Sequence, residues 1–430
     1  MMCFKVALLF FACVSIGSAV KLEEKFRWKE VSYAWPSDAA KEEAITGKRY
    51  VPENNLLLGL DVHKDRLFIT VPRWKSGVAS SLNYVKVSSV EASPVLVPYP
   101  SWEANTIEAD VSQGQDRLGG RADAPEAKVV DGQLRDNSSI ISTFRIQVDE
   151  CDRLWVMDTG LADILGSPKQ IAPPALVIFD LNTDTLIRRY TFTSSDLGHN
   201  SFLANVIVDV PKHECGNAYA YVPDLGGYGV VVYSFKDNKS WRVKHNFFHF
   251  DPLNGDFNVG GVNFQWTDGV FGMALGKPSS EGSRTVYFHA LASTKEFSVP
   301  NFVLQNETRA TSSDAYYDYS LVGDRGSNGQ ATAEALHEKT NVLFYTQVNK
   351  DGVGCWKADK PFNPDTQGLV DSDSAALVFP NDLKIDGDDN LWILSDRLPV
   401  FMYKKLNPDE FNYRILKGKV NDLILGTPCE

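Results

Sequence analysis

The chain of 430 residues reads as all-β, a six-bladed β-propeller of four-stranded antiparallel blades. Three observations point there. One hairpin-like unit recurs six times, at residues 55–74, 142–160, 204–224, 268–293, 333–349 and 381–397. Runs rich in Val, Ile, Leu and aromatics alternate with polar turns along the whole chain, and long amphipathic helical periodicity is not evident. The units start roughly 50 to 90 residues apart, room enough in each for two more strands and their loops. A β-sandwich or two separate β domains would use the same strands. Radial repetition is the simpler solution, because it disposes of exposed edges within one domain.

Taken in order, the chain opens with Lys5, an apolar run over residues 6–14, and small residues at Gly17 and Ala19. That is the layout of a secretory signal peptide, residues 1–19, and the apolar run is too short to anchor the chain in a bilayer. Residues 20–430 then form a single propeller domain. The second, third and sixth units lead into further strand-like runs at residues 175–181, 229–235 and 400–405. Residues 100–140 and 294–330 are polar and rich in Gly, Ser and Asp, and read as long loops that could hide a degenerate seventh blade.

Cys3 and Cys13 leave with the signal, and Cys151, Cys215, Cys355 and Cys429 remain for an oxidising compartment. Four cysteines allow three pairings. Without a Cys-x-x-Cys motif or clustered histidines, they do not read as metal ligands. Asn137, Asn238 and Asn306 head unblocked glycosylation sequons. The formal charge of −12 disfavours nucleic acid and anionic membrane as partners and is compatible with a cationic or neutral ligand.

Hairpin geometry gathers the polar residues. The first strand of each unit leaves one rim and the second returns to it, so Asn55, Asn205, Asp268 and Asn381, which open first strands, share a rim with Arg73, Asp158, Asp224, His289, Gln347 and Asp396, which close second strands. First strands line the axis, so the openers stand nearest it, and a ring of amides, carboxylates and one imidazole suits a small polar ligand. The competing role for each Asp or Asn is to cap a turn through its own backbone. Residues 386–390 resemble a calcium loop but lack the distal Glu of an EF-hand. No nucleophile elbow, His-Glu-x-x-His motif or phosphate loop is present.

Residues 149–160, 261–276, 287–300, 344–356 and 379–402 resemble signature segments of the insect yellow and major royal jelly protein family, and residues 323–337 are similar to its polar run before the fifth unit. The resemblance implies a secreted six-bladed propeller with disulfides Cys151–Cys215 and Cys355–Cys429. It also implies a small aromatic amine or catechol-derived ligand, since family members convert dopachrome in melanin formation or bind biogenic amines in the channel. Amine-contacting positions carry over to Asn381 and Asp396, the opener and closer of the sixth unit. The expected site is therefore Asn381, Asp396, Asn205 and Asp268 for the ligand, with His289 and Asp158 as acid–base groups in a dopachrome isomerase that uses neither cofactor nor metal. In that scheme Asp396 or Asp158 anchors the cationic nitrogen, His289 moves protons and Asn381 orients the ring. Three other readings are a non-catalytic amine binder, a structural protein of cuticle or eggshell, and a metal-dependent lactonase-like propeller using Asn205, Asp268 and Asn381.

Overall fold

The computed structural model describes residues 22–107, 139–211 and 214–430. Six four-stranded antiparallel sheets are arranged as the blades of a propeller. From the axis outward, blade 1 uses Leu60–His63, Arg66–Thr70, Leu82–Lys86 and Val97–Pro98, and blade 2 uses Thr143–Val148, Arg153–Asp158, Ala175–Asp180 and Thr185–Thr191. Blade 3 uses Ile207–Asp209, Tyr219–Asp224, Gly229–Ser234 and Lys239–Lys244. Blade 4 uses Val270–Leu275, Thr285–Ala290, Lys295–Pro300 and Ser320–Asp324. Blade 5 uses Glu334–His337, Val342–Gln347, Gly352–Lys357 and Gln367–Ser372. In blade 6, Pro380–Ile385, Asn390–Ser395 and Tyr413–Lys419 come from the end of the chain, and the outer strand is Glu23–Trp28 from its beginning.

Second and third strands are covered on both faces by neighbouring blades, which is why they read as unbroken apolar runs. Every residue of Arg153–Asp158 and of Gly229–Ser234 is buried. Between blades 2 and 3 the contact surface is Trp155, Met157, Leu176, Ile178, Val222 and Val231. The core is thus a set of blade-to-blade interfaces around an axis.

Two expectations are corrected. Residues 400–405 are not the third strand of blade 6: Leu398–Tyr403 is a helix with a proline in its first turn, and the strand is Tyr413–Lys419. The loop reading of residues 294–330 conceals no seventh blade, since this stretch supplies the two outer strands of blade 4. The ring closes where Glu23–Trp28 pairs with Tyr413–Lys419, and the Cys355–Cys429 disulfide ties the segment beyond that strand to blade 5.

Both disulfides have the pairing the resemblance implied, Cys151–Cys215 and Cys355–Cys429. Asn238 and Asn306 are exposed, and Asn137, like the signal segment 1–19, lies outside the described residues. No described helix is long and apolar enough to cross a membrane.

Candidate functional site

All six inner strands begin at one mouth of the axial channel, and just inside that mouth the channel is closed by a buried polar girdle. Its centre is Arg145 of blade 2, whose side chain is wholly inaccessible to solvent. Nη2 donates to the carbonyl of Asn381 at 2.5 Å and to Asn381 Oδ1 at 2.6 Å, and Nη1 forms an ion pair with Asp382. The other blades close around this group. The backbone N–H of Leu60 donates to Asp382 Oδ2 at 3.0 Å, and Thr332 Oγ1 donates to the Asn381 carbonyl at 2.8 Å. The Phe271 ring lies 5.0 Å from the guanidinium, and Asn205 Nδ2 donates to the Phe271 carbonyl at 2.8 Å. A guanidinium can be buried this deeply because a carboxylate, two amide acceptors and an aromatic face replace its water.

Beyond the girdle, towards the opposite mouth, is a cavity of about 250 Å³ with residues from all six blades in its wall, among them Asp61, Gln147, Glu334 and Lys384. Burial pushes the Asp61 carboxyl up to about 7, against the pull of Lys384 and the N–H groups of Val148 and Val62.

Of the predicted ligand residues, Asn381 and Asp396 meet: Asn381 Nδ2 donates to Asp396 Oδ2 at 2.5 Å. Asn205 reaches that pair only through Phe271 and then Arg145, and its Oδ1 accepts the Val206 N–H. Asp268 stands at the start of the blade 4 inner strand, partly exposed, and its backbone carbonyl accepts the Ala292 N–H. Burial alone lifts its carboxyl to about 6.

The two predicted acid–base residues are elsewhere. Asp158 is fully buried inside blade 2, where it accepts from the backbone N–H groups of Ile141, Ser142 and Gly160 and pairs with Arg189 at 3.0 Å. His289 is also fully buried, and it lies behind the channel wall, between blades 4 and 5. Sequence reasoning placed both on the rim because it fixes a residue's height along a strand and not the direction of its side chain. It missed Arg145 and Asp61, which sit mid-strand with no motif around them.

Comparing blades isolates Asp396. At the corresponding end of the second strand, Asp158 is met by Arg189 from the outer strand of blade 2, and Asp224 by Arg242 from the outer strand of blade 3, at 2.6 Å. Among the described residues no ion pair forms with Asp396. Its partners are Asn381 and the N–H of Leu398, and burial carries its carboxyl up to about 8 despite them and the more distant Arg145. Two loops close over this mouth. The hairpin Asp256–Val259/Val262–Gln265 leads to Trp266, whose Nε1 donates to Tyr403 Oη of the Leu398–Tyr403 helix at 2.7 Å, and Trp266 also packs edge-on against Phe379.

Residues 141–429 match the family pattern described as major royal jelly protein. The chain belongs to that family. Within it, the chain is similar to "Protein yellow" of Drosophila subobscura, at 41% identity over 96% of this chain and 68% of that one. Similarity to "Protein yellow" of Drosophila melanogaster is 40%, over 96% and 71% of the two chains. Among solved structures it is similar to a luciferin-regenerating enzyme at 9% identity and a TM-score of 0.46, covering 87% of this chain and 93% of that one, a likeness too weak to carry chemistry across. For this member of the major royal jelly family, the girdle and the mouth above it are the candidate site.

Proposed function

We propose that this secreted protein takes a small aromatic amine or catechol-derived ligand into the strand-start mouth of its channel and converts dopachrome to a dihydroxyindole in melanin chemistry. The observation that carries the reading is Asp396, a buried carboxyl that shares Asn381 and lacks the arginine its counterparts have. With its pKa near 8 it is mostly neutral at pH 7 and can donate a proton, whereas Asp268, near 6, is mostly ionised and can accept one. Two carboxyls held in opposite protonation states supply an acid and a base without a cofactor. In dopachrome isomerisation the base removes the proton on the carbon bearing the carboxylate, the electron pair moves through the ring and the acid protonates a quinonoid oxygen; loss of one proton from the adjacent ring methylene and protonation of the second oxygen complete the dihydroxyindole. Asp268 and Asp396 take the roles first given to Asp158 and His289. The two disulfides and the family's secreted members support an extracellular setting.

Decay of dopachrome absorbance with purified protein tests the reading. Asp396→Asn and Asp268→Asn are each expected to lower the protein-dependent rate by about 10²-fold or more. A rate no faster than that of heat-inactivated protein removes the isomerase. The interior positions of Asp158 and His289 favour a second reading, a non-catalytic binder of amines such as dopamine or serotonin. Calorimetric saturation at one amine per chain, without turnover, is its signature.

A further inference from the structure

Between blades 4 and 5 lies a cluster that the channel chemistry does not use. His289 comes from the second strand of blade 4, Glu296 from the third, and Glu334 from the inner strand of blade 5. All three side chains are completely buried. His289 Nδ1 is 3.1 Å from Glu296 Oε2 and 3.3 Å from Glu334 Oε2, and one donor atom from each residue falls within 4.8 Å of the others. Arg325 is the neighbouring cation, and its donors are directed to Glu296 Oε2 at 2.5 Å and to the carbonyls of Gly329, Ser293 and Lys295. This arrangement leaves Glu334 with neither oxygen hydrogen-bonded, and Glu296 Oε1 likewise without a donor.

Buried carboxylate oxygens without a donor are costly and rare in native proteins, and an ion is one of the few things that accounts for them. We propose that His289 Nδ1, Glu296 and Glu334 bind a divalent cation of the zinc or manganese class that joins blade 4 to blade 5. One imidazole and two carboxylates form a donor set for such ions. Bonds of about 2.0–2.2 Å to a common ion hold neighbouring donor atoms roughly 3.0–3.5 Å apart, the spacing seen here between the imidazole and the carboxylates. The ring is held in place by the backbone of the adjacent strand, where a Cβ on Gly272 would lie 2.3 Å from His289 Nε2. Glu334 also lines the 250 Å³ channel cavity, which gives an ion a route in.

The test is metal content of the full chain, stripped with chelator, incubated with zinc or manganese and desalted. Wild type is expected to retain about one ion per chain with a raised thermal midpoint, and Glu334→Gln and His289→Asn to lose both effects. Diffraction at the zinc edge should place an anomalous peak between His289 and Glu334, a readout that does not depend on the variants folding. Metal retention in wild type no greater than in Glu334→Gln, or zinc peaks confined to the protein surface, overturns the proposal and leaves the cluster closed by Arg325 and a proton.

Discussion

Arg145 and Asp382 hold each other in place where neither could be buried alone. Replacing Arg145 with Met removes the cation and leaves the carboxylate inside, which costs about 3–5 kcal/mol. Urea unfolding should register that loss, and adding Asp382→Asn should restore part of it; a loss below about 1 kcal/mol would show that the pair does not close the channel. A pH effect follows from the raised carboxyls. Asp396 near 8 and Asp61 near 7 bind protons in the folded chain that they release in the unfolded chain, where their ordinary value is 3.8. Their contribution to stability is complete below about pH 4 and is lost as pH rises towards 8. Unfolding midpoints between pH 5 and 8 should therefore decline less in Asp396→Asn than in wild type. Sequence alone could not separate Asp158 from Asp396, both acidic residues closing a strand. The difference lies in what faces them: Arg189 stands 31 positions from Asp158, while the Asn381 that holds Asp396 is itself gripped by Arg145 from 236 positions away.

The strand pairs were legible because a hairpin is a local object: its two apolar runs and the turn between them are adjacent in sequence. The misread element shows the limit. Residues 400–405 form a short apolar run, and such runs suit a strand or one side of a helix equally. The feature that decides is Pro399, which fits the first turn of a helix and cannot donate within a sheet. Disulfides act at this scale too. Cys355 and Cys429 are 74 positions apart, and removing their bond frees a loop of that length in the unfolded chain, worth about 4 kcal/mol in the entropic account. A Cys355→Ser/Cys429→Ser variant should unfold at correspondingly lower denaturant, with the blade 2–blade 3 bridge Cys151–Cys215 still formed.

For the whole molecule, the number of blades could be counted from the repeat, but the closure could not. Glu23–Trp28 has no partner nearby in sequence and resembles no other strand enough to be recognised. In the structure Phe26 and Trp28 are buried, and Trp28 Nε1 donates to the Pro94 carbonyl at 2.7 Å. Trp28→Ala should cost about 3–5 kcal/mol by calorimetry or denaturant titration, a loss spread over the entire ring if unfolding remains a single transition. A variant that loses only a local, low-temperature step would mean the clasp opens independently of the blades.

Glu24 and Arg414 meet across that clasp at 2.9 Å although 390 positions separate them. At ordinary translation speeds roughly 20–80 s pass between the appearance of one and the other. Throughout that interval the amino-terminal ribbon has only its contacts with Ala92 and Pro94 to hold it, while the carboxyl-terminal sheet that will receive it has yet to be made. Two chains at the same stage could exchange ribbons and emerge as an interlocked dimer.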